Sequence, residues 1–497
     1  MSVPLPPPDP QRLAKKGAVV RALQGVLSPG AVLHSDEELL PYECDGLSAY
    51  RQRPMAVVLP TDTAQVAAAL KVLHGMEIPV VPWGAGTGLS GGALPLADGV
   101  TIALSRMNRV LDIDIENRCA VVQPGVTNLA ITESVRHLGF YYAPDPSSQI
   151  ACSIGGNVAE NSGGVHCLKY GMTTNNLLGV EVVLSDGEVV RVGNRGYEDA
   201  GYDLLGVLTG SEGLLAIVTE VTVRLLPTPQ TARALMAVFD TVEEAGQGVA
   251  DIIAAGMVPG GMEIMDKLAI EASEAFANAG YPVGKEAILL VELDGPVSEV
   301  NHQIERADGI LRAAGATDIR ISQSEEERLR LWAGRKAAFP AVGRISPDYY
   351  CMDGTIPRAA LPKVLGRIRE LSAHYDLRVA NVFHAGDGNL HPLILYDGNV
   401  PGELEKTEEF GSEILKLCVD VGGVLTGEHG VGVEKRDLMA YQFGENDLNA
   451  MQRVKCAFDP AQVLNPGKVF PTLHRCAELG RMHVHHGKLP FPDIERF

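Results

Sequence analysis

The segment IPVVPWGAGTGLSGG, residues 78–92, decides the fold of the N-terminal half of the chain. A short apolar strand, IPVVP, runs directly into a loop that holds five glycines, two hydroxyl side chains and no charge. Because glycine has no side chain, the backbone N–H groups of such a loop can come close to a phosphate. Taken alone the loop is a weak signal, since glycine-rich segments also serve as simple connections.

Two further glycine-rich segments strengthen this interpretation. Residues 144–164, PDPSSQIACSIGGNVAENSGG, carry Asn157 and Asn161, whose amides offer both donors and acceptors. Residues 208–227, LTGSEGLLAIVTEVTVRLLP, join a Gly-Ser-Glu-Gly turn to an apolar strand that alternates too little to be half exposed. Three separate loops around one ligand indicate a long molecule with a pyrophosphate and an extended aromatic part. The glycines of the first loop alternate at positions 84, 86 and 88, and we do not interpret this loop as a Rossmann dinucleotide-binding fingerprint.

Regular elements surround these loops. Residues 55–60 predict a strand, and residues 61–75, which open on a polar cap, predict a helix. In the C-terminal half, RVANVFH (378–384) and LHPLILY (390–396) predict two strands joined by a Gly-Asp-Gly-Asn turn. The predicted hairpin carries one histidine on each arm.

A second candidate site combines this hairpin with a later loop. HAGDGNLH, residues 384–391, is followed 36 residues later by GEHG, residues 427–430. Either histidine alone is explained as a polar turn residue, but two imidazoles and a carboxylate with an open position are typical of a catalytic divalent metal site. We assign the ligands as His384, His391 and Glu428. Zinc, manganese and iron(II) all suit this set.

Composition excludes several classes of protein. At 497 residues the chain is long enough for two or three domains, and 46% hydrophobic with 21% charged residues is ordinary for a globular protein. The net charge of -20 argues against a nucleic-acid partner. No apolar run reaches the roughly 18 residues of a membrane-spanning helix, and residues 1–16 lack the apolar core of a signal peptide. We therefore expect a cytoplasmic protein without a direct membrane span.

Six motifs, in order and over most of the chain, resemble those of FAD-linked 2-hydroxyacid dehydrogenases of the vanillyl-alcohol oxidase superfamily. They are PWGAGTGLSGG, IGGNVAENSGG, LTGSEGLLAIVTEVTVRLLP, HAGDGNLHP, GEHGVG and NPGKVF (465–470). The likeness is greatest to the glycolate oxidase D subunits, with D-lactate and D-2-hydroxyglutarate dehydrogenases as near relatives. It implies an α+β fold, with an FAD-binding domain of two subdomains over residues 1–229. A cap domain with an antiparallel sheet and a C-terminal FAD-contacting segment would span residues 230–473, followed by a tail over residues 474–497.

The resemblance also implies the residues that bind FAD. The first loop has neither histidine nor cysteine to attach a flavin, so we expect the FAD to be noncovalent, and we expect Cys152 and Cys167 to be buried small hydrophobic residues. In this family the C-terminal segment returns to the flavin, which would make Asn465 an FAD contact, and the alternative is that Asn465 lies in a plain turn after a helix. The pyrophosphate would lie on the backbone of Gly84, Ala85, Gly86, Thr87, Gly88, Leu89 and Ser90, and the rest of FAD would contact Asp145, Ser153, Gly156, Asn157, Asn161, Gly164, Glu212, Ile217 and Asn465.

The chemistry of 2-hydroxy acid oxidation gives further residues a role. The hydride from C2 goes to flavin N5, and a metal would lower the pKa of the substrate hydroxyl. His429, with an unperturbed pKa of about 6.5, suits a general base, and the alternative is that it orients Glu428. In the predicted helix 331–339, Arg335 matches the family's substrate-carboxylate arginine, and the alternative is a surface arginine paired with the glutamates at 325–327.

Two departures from the hydroxyglutarate dehydrogenases bear on the substrate. Those enzymes carry a lysine ahead of the strand that corresponds to residues 351–357, and an asparagine two positions after the second metal histidine. This chain has Cys351 and Leu393 at those positions. Without a second cationic or amide contact, we expect small monocarboxylates such as glycolate or D-lactate.

The expected electron acceptor is another protein. The eight cysteines show no iron–sulfur spacing, so any such cluster must belong to a partner. Resemblance to the glycolate oxidase D subunits implies iron–sulfur and flavoprotein partner subunits that pass electrons to membrane quinone, rather than to NAD or dioxygen. The chain would then be peripheral to the inner membrane through these partners. Two alternatives are a metal-dependent hydrolase that uses the His/His/Glu site and a noncatalytic flavoprotein subunit.

Overall fold

A computed structural model describes residues 5–196 and 201–471, so the predicted tail at 474–497 lies outside the described residues. The first sheet has the strand order β1-β2-β4-β3, in which β2 and β3 run parallel to β4 and β1 is antiparallel to β2. Helix α4 makes the crossover between β2 and β3 that parallel strands require. The elements of this region are α1 (Pro10–Ala14), α2 (Lys16–Gln24), β1 (Val32–Leu33), α3 (Asp36–Leu39), β2 (Ala56–Val58), α4 (Thr63–Gly75), β3 (Val80–Trp83) and β4 (Val100–Ala103).

The elements predicted for this first region are present. The strand predicted over residues 55–60 is Ala56–Val58, and the predicted helix is Thr63–Gly75. The Asp62 carboxylate caps this helix by accepting a hydrogen bond of 2.9 Å from the Gln65 N–H. A polar residue at the cap therefore fixes where the helix begins.

The second sheet is antiparallel throughout, in the order β5-β6-β10-β8-β9, and β7 pairs separately with β11. Strand β10 alternates between buried and half-buried residues, so the expectation that it alternates too little for a half-exposed strand is wrong. Its half-buried positions include Thr222 and Arg224, on the face of the sheet that the core does not cover. The elements are β5 (Val110–Asp114), β6 (Cys119–Val122), α5 (Asn128–Val135), β7 (Phe140–Tyr141), α6 (Ile154–Glu160), α7 (Cys167–Tyr170), β8 (Leu177–Val183), β9 (Val189–Gly193), α8 (Leu204–Leu208), β10 (Ile217–Arg224) and β11 (Leu226–Pro227).

The third sheet is a larger antiparallel one, in the order β15-β12-β14-β13-β17-β18-β16. Alternate residues of β12 enter two different hydrophobic clusters, because helices cover both faces of the sheet. The prediction of an antiparallel cap sheet is confirmed. The elements are β12 (Thr231–Phe239), α9 (Val242–Ala254), β13 (Gly261–Asp266), α10 (Lys267–Ala277), β14 (Ala287–Gly295), α11 (Val297–Ala313), β15 (Asp318–Ile321), α12 (Glu325–Lys336), α13 (Ala338–Val342), β16 (Asp348–Cys351), α14 (Leu361–Tyr375), β17 (Val379–His384), β18 (Asn389–Tyr396) and α15 (Glu403–Asp420).

Two local predictions have different outcomes. The hairpin is present as β17 and β18, with His384 ending the first arm and His391 on the second. The strand expected over residues 351–357 ends at Cys351. Beyond it Thr355 forms only isolated bridges, because the chain leaves the sheet there to contact the loop that follows α15.

The chain returns to the first sheet at its C-terminal end. After α16 (Met439–Gln442) and α17 (Glu445–Phe458), the Val80 N–H donates to the Val463 carbonyl and the Asn465 N–H donates to the Val80 carbonyl, both at 2.7 Å. The Lys455 ammonium is buried and donates to the carbonyls of Leu214 and Leu464. These bonds place Asn465 beside the glycine-rich loop that follows β3.

Candidate active site

One cavity of about 560 Å³ joins the two candidate sites. Its wall is formed by the three glycine-rich loops at one end and by His391, Glu428 and His429 at the other. A ligand in this space therefore contacts both regions. The predicted cofactor residues that line it are Gly84, Ala85, Gly86, Thr87, Gly88, Leu89, Ser90, Ser153, Gly156, Asn157, Glu212 and Ile217.

The first two loops touch each other, and glycine makes this possible. A Cβ atom on Gly84 would lie 2.5 Å from the Ser153 Oγ, and one on Gly86 would lie 2.5 Å from the Trp83 ring. Gly86 also has a φ of 69°, which favours glycine. The backbone of the first loop is thereby held open toward the cavity, as a phosphate-binding loop requires.

Two other predicted cofactor residues of the second loop do not line the cavity. The Asp145 carboxylate is bound by His166, through the backbone N–H at 3.2 Å and the ring Nδ1 at 2.9 Å. Asn161 ends α6 in a left-handed conformation, and its side-chain oxygen accepts from the Thr174 N–H at 2.9 Å. Both side chains are used to shape the second loop, and neither is among the residues that line the cavity.

Gly164 and Asn465 also lie away from the cavity wall. A Cβ atom on Gly164 would lie 2.5 Å from the Asp145 carbonyl, so glycine permits close packing there. The Asn465 amide donates to the carbonyls of Gly92 and Glu212, at 3.0 and 2.7 Å. Asn465 therefore fastens the first loop to the third and is more than a turn residue.

The three predicted metal ligands converge. Glu428 Oε1 lies 3.0 Å from His391 Nε2 and 3.3 Å from His384 Nε2. On the far side of each ring, His384 Nδ1 lies 2.6 Å from Glu263 Oε1 and His391 Nδ1 lies 3.3 Å from the Met352 carbonyl. Outer partners of this kind leave both Nε2 atoms facing one point, and the three ligand atoms lie within 4.8 Å of one another. The donor set fits a divalent cation.

The three predicted ligands, His384, His391 and Glu428, are called the triad below, and their charges are balanced by groups within the protein. Burial lowers the pKa of His384, but the carboxylates of Glu263 and Glu428 outweigh burial and raise it well above its usual range. Burial raises the pKa of Glu428, yet hydrogen bonds from His384 and His391 hold it well below its usual range. Glu428 is therefore ionised, as a metal ligand must be.

His429 stands beside the triad. Its ring stacks on His391 with a centroid distance of 4.9 Å, and its Nε2 lies 4.0 Å from Glu428 Oε1. Burial lowers the pKa of His429 to about 4, so the imidazole is neutral at pH 7. Its Nδ1 is buried without a hydrogen-bond partner among the described residues. His429 lines the cavity, and a neutral imidazole there can accept a proton.

Arg335 occupies an unexpected place. It is 1% exposed, which contradicts the alternative of a surface arginine, and its Nε donates to Glu263 Oε2 at 2.7 Å. Since Glu263 also binds His384, Arg335 supports the triad from behind. Its Nη1 is buried and has no hydrogen-bond partner among the described residues. Arg335 is not among the residues that line the cavity, whereas the next residue, Lys336, is.

Asp353 is a residue that sequence reasoning missed. Its carboxylate accepts from the backbone N–H groups of residues 427–429, at 2.8 to 3.1 Å, and from the Thr426 hydroxyl at 2.5 Å. The Asn389 amide donates to it at 2.8 Å. Burial would raise the pKa of Asp353, but nearby His429 and Lys435 lower it to about 2. In sequence an aspartate before a glycine indicates only a turn, so nothing marked this role.

Glu212 makes a second link to the same loop. Its carboxylate accepts from the N–H groups of Val431 and Gly432, at 2.7 Å each. Glu212 also lines the cavity. The third glycine-rich loop therefore positions the loop that carries Glu428 and His429.

Comparison with known proteins identifies the family of the chain. Residues 54–193 match the family "FAD binding domain", and residues 228–469 match "FAD linked oxidases, C-terminal domain". The chain is 62% identical to the glycolate oxidase subunit GlcD of Escherichia coli (strain K12), over 97% of this chain and 96% of that one. It is 34% identical to a D-lactate dehydrogenase of Anaerostipes hadrus, over 89% and 95%.

A solved structure agrees with the fold. The p-cresol methylhydroxylase structure with bound substrate has a TM-score of 0.77 at 20% identity, over 93% of this chain and 97% of that one. The chain therefore belongs to the FAD-linked oxidases, and it has the vanillyl-alcohol-oxidase-type fold that its motifs predicted. FAD is the cofactor of this family, and the chain is an oxidoreductase.

Asp353→Asn tests whether Asp353 anchors the loop that carries Glu428 and His429. The amide can accept at only one atom, so we expect the free energy of unfolding to fall by about 2–4 kcal/mol, since hydrogen bonds to a charged group contribute about 1.5–3 kcal/mol each. Because the folded pKa of about 2 lies below the unfolded value of about 3.9, the stabilisation by Asp353 is present above pH 4 and is lost as the pH falls toward 2. Denaturant titration at pH 7 and pH 3 measures both effects. Asp318→Asn, at the exposed first residue of β15, is the control. Equal stability of Asp353→Asn and wild type at pH 7 would contradict the role of Asp353.

Proposed function

We propose that the chain oxidises a small 2-hydroxy acid, glycolate or D-lactate, to the corresponding 2-oxo acid with FAD as the hydride acceptor. The observation that carries this proposal is the single cavity, which joins the glycine-rich loops to the His/His/Glu triad and His429. A cofactor and a small acid can meet only in such a shared space. The names of the glycolate oxidase and D-lactate dehydrogenase relatives support the same substrate class.

The two alternatives are not favoured. A hydrolase would use the triad without a redox cofactor, whereas both family matches are to FAD-linked proteins. A noncatalytic flavoprotein subunit has no need of a buried triad with a neutral histidine beside it, and this chain has both. The oxidoreductase proposal accounts for both features.

We assign the groups that hold each cofactor. FAD would bind noncovalently, with its pyrophosphate on the backbone of residues 84–90, and when bound it supplies a hydride acceptor at flavin N5. A divalent metal, zinc or else manganese or iron(II), would be held by His384, His391 and Glu428. When bound it supplies a Lewis acid at the substrate hydroxyl.

Side chains of the protein accept the substrate proton, bind the substrate carboxylate and exclude water. His429 accepts the proton of the substrate hydroxyl, for which its neutral ring is ready at pH 7. The ammonium of Lys336, which lines the cavity, is available to the substrate carboxylate, and Arg335 positions Glu263 and through it His384. Phe339, whose ring packs edge-on against His391 at 6.3 Å, helps to exclude water from the reacting atoms.

The larger organisation is also part of the proposal. Residues 1–229 would form the FAD-binding domain, and residues 230–473 the substrate-binding cap with the returning C-terminal segment. Among the described residues no helix is long and apolar enough to cross a membrane. The E. coli relative is named a subunit, which supports partner subunits for this chain, and we propose that these are iron–sulfur and flavoprotein subunits. A cytoplasmic location, peripheral to the inner membrane through those partners, remains a prediction.

An anaerobic absorbance experiment tests the function. Glycolate or D-lactate should bleach the flavin spectrum of the purified chain, because the hydride moves to the flavin. Dyes should then restore the spectrum quickly, and dioxygen and NAD only slowly, since the expected acceptor is a partner protein. Stopped-flow absorbance follows both half-reactions. No bleaching with any 2-hydroxy acid would refute the dehydrogenase, and reoxidation by air at turnover rates would remove the need for partners.

Replacing His384, His391 or Glu428 by alanine tests the metal site. Each change removes one of three ligands, so we expect loss of most of the metal and activity while FAD, bound mainly by the other loops, remains. Elemental analysis gives the metal content and absorbance gives the FAD content. His302→Ala, a surface histidine, is the matched control. Full activity of chelator-treated, metal-free protein would contradict the assignment.

His429→Asn separates the two roles considered for His429. Loss of a positioned base costs about 10²- to 10⁴-fold in rate, so anaerobic flavin reduction should slow by that factor while the metal content stays near one per chain. If His429 only orients Glu428, the variant instead loses metal and regains its rate of flavin reduction when metal is restored. Stopped-flow reduction with and without added metal distinguishes the two results.

A further inference from the structure

Glu160 is a carboxyl group in the cavity wall that the proposed chemistry does not use. It is the last residue of α6, it lines the cavity, and no hydrogen bond joins its side chain to the described residues. Its Oε2 is buried, and a Cβ atom added to Gly430 would clash with it. Because Gly430 directly follows His429, Glu160 lies at the reactive end of the cavity.

A second carboxyl group meets Glu160 at the same glycine. Glu212 Oε1 would lie 3.0 Å from the Cβ atom added to Gly430, so the two acids approach this residue together. Glu212 accepts two backbone hydrogen bonds and Glu160 accepts none. Ionising both carboxyl groups in one buried site costs free energy, because the two like charges repel each other and are poorly solvated. The group with two N–H donors keeps the negative charge, so Glu160 keeps the proton.

The other charged groups nearby do not change this outcome. Burial raises the pKa of Glu160 well above its usual range, and Glu212 and Asp45 add to the effect, while Lys435 and Lys468 oppose it. Both lysine ammonium groups donate their hydrogen bonds to groups other than Glu160. Lys435 donates to the Ser90 hydroxyl and the Gly430 carbonyl and pairs with Glu434, and Lys468 donates to the Leu94 carbonyl and the Asn465 side chain.

We propose that Glu160 is a cofactor-binding residue, whose carboxylic acid hydroxyl donates a hydrogen bond to an acceptor atom of the bound isoalloxazine ring. The proposal rests on the proposed function, which would bring the ring next to the triad, and Glu160 lines the cavity at that end. Reduced flavin is richer in electrons at its ring acceptor atoms than oxidised flavin, so a hydrogen-bond donor there favours the reduced form. The test of this proposal needs neither the metal nor the substrate.

Three full-length variants test the proposal. Glu160→Ala removes the donor, Glu160→Gln replaces it with a neutral amide donor, and Glu220→Gln changes a glutamate outside the cavity as the matched control. Fluorescence titration of the deflavinated chain gives the FAD dissociation constant, and anaerobic dye equilibration gives the midpoint potential. Neither measurement involves substrate.

We expect Glu160→Ala to weaken FAD binding about tenfold, the effect of one hydrogen bond. It should also lower the midpoint potential, by about 30 mV for each further tenfold loss of affinity for reduced FAD. Glu160→Gln should stay within about threefold of the wild-type dissociation constant. Wild-type FAD affinity should fall at high pH, as Glu160 ionises, whereas the affinity of Glu160→Gln should stay constant.

Several results would overturn the proposal. An unchanged dissociation constant and potential in Glu160→Ala would show that Glu160 does not contact FAD. A raised potential would show that Glu160 is ionised beside the ring. If Glu160→Ala fails to fold, judged by circular dichroism, then Glu160→Gln decides, because a tenfold loss of FAD in that variant, or a pH profile like that of wild type, excludes a neutral donor.

Discussion

The hydrogen bonds between the Asp353 carboxylate and the backbone of residues 427–429 position the loop that carries the candidate residues Glu428 and His429. Glu428 and His429 lie in a loop outside the sheets, so no strand pairing holds them. Asp353, which lies just past the end of β16, holds them by accepting hydrogen bonds from successive backbone N–H groups. The Asn389 amide donates to the same carboxylate and so joins it to the hairpin of β17 and β18. The carboxylate thus joins the two arms of the triad. Because it is fully buried, it would be costly to leave any of these donors unpaired.

The same loop is held from its other side by the FAD-binding half. Glu212 accepts from Val431 and Gly432, and Gly163 donates to Glu428 at 2.9 Å. The glycine-rich loops therefore shape the candidate metal site as well as the cavity. Glycine at position 430 allows two carboxyl groups to come close to the backbone beside His429. Buried, charged contacts thus join the glycine-rich loops to the loop that carries Glu428 and His429.

Sequence reasoning predicted the elements and the ligand triad because each depends on local spacing. A hairpin turn fixes His384 and His391 on neighbouring strands, and two glycines around Glu428 mark a close approach of the backbone. The sequence did not indicate hydrogen bonds that a side chain makes to residues distant in the chain. Asp145, Asn161 and Asn465 have the right chemistry for cofactor contacts, but their polar atoms are used by other parts of the chain.

The sequence by itself determined several strands and helices, the three glycine-rich loops and the residue types of the candidate metal site. These follow from periodicity, turn chemistry and motif spacing, which act over a few residues. Only the tertiary structure decided which polar groups remain free to meet a ligand. Arg335 turns inward to Glu263 while Lys336 lines the cavity, and Glu160 stays unpaired while Glu212 does not. The physical reason is that hydrogen-bond satisfaction depends on partners tens to hundreds of residues away, which packing alone brings together.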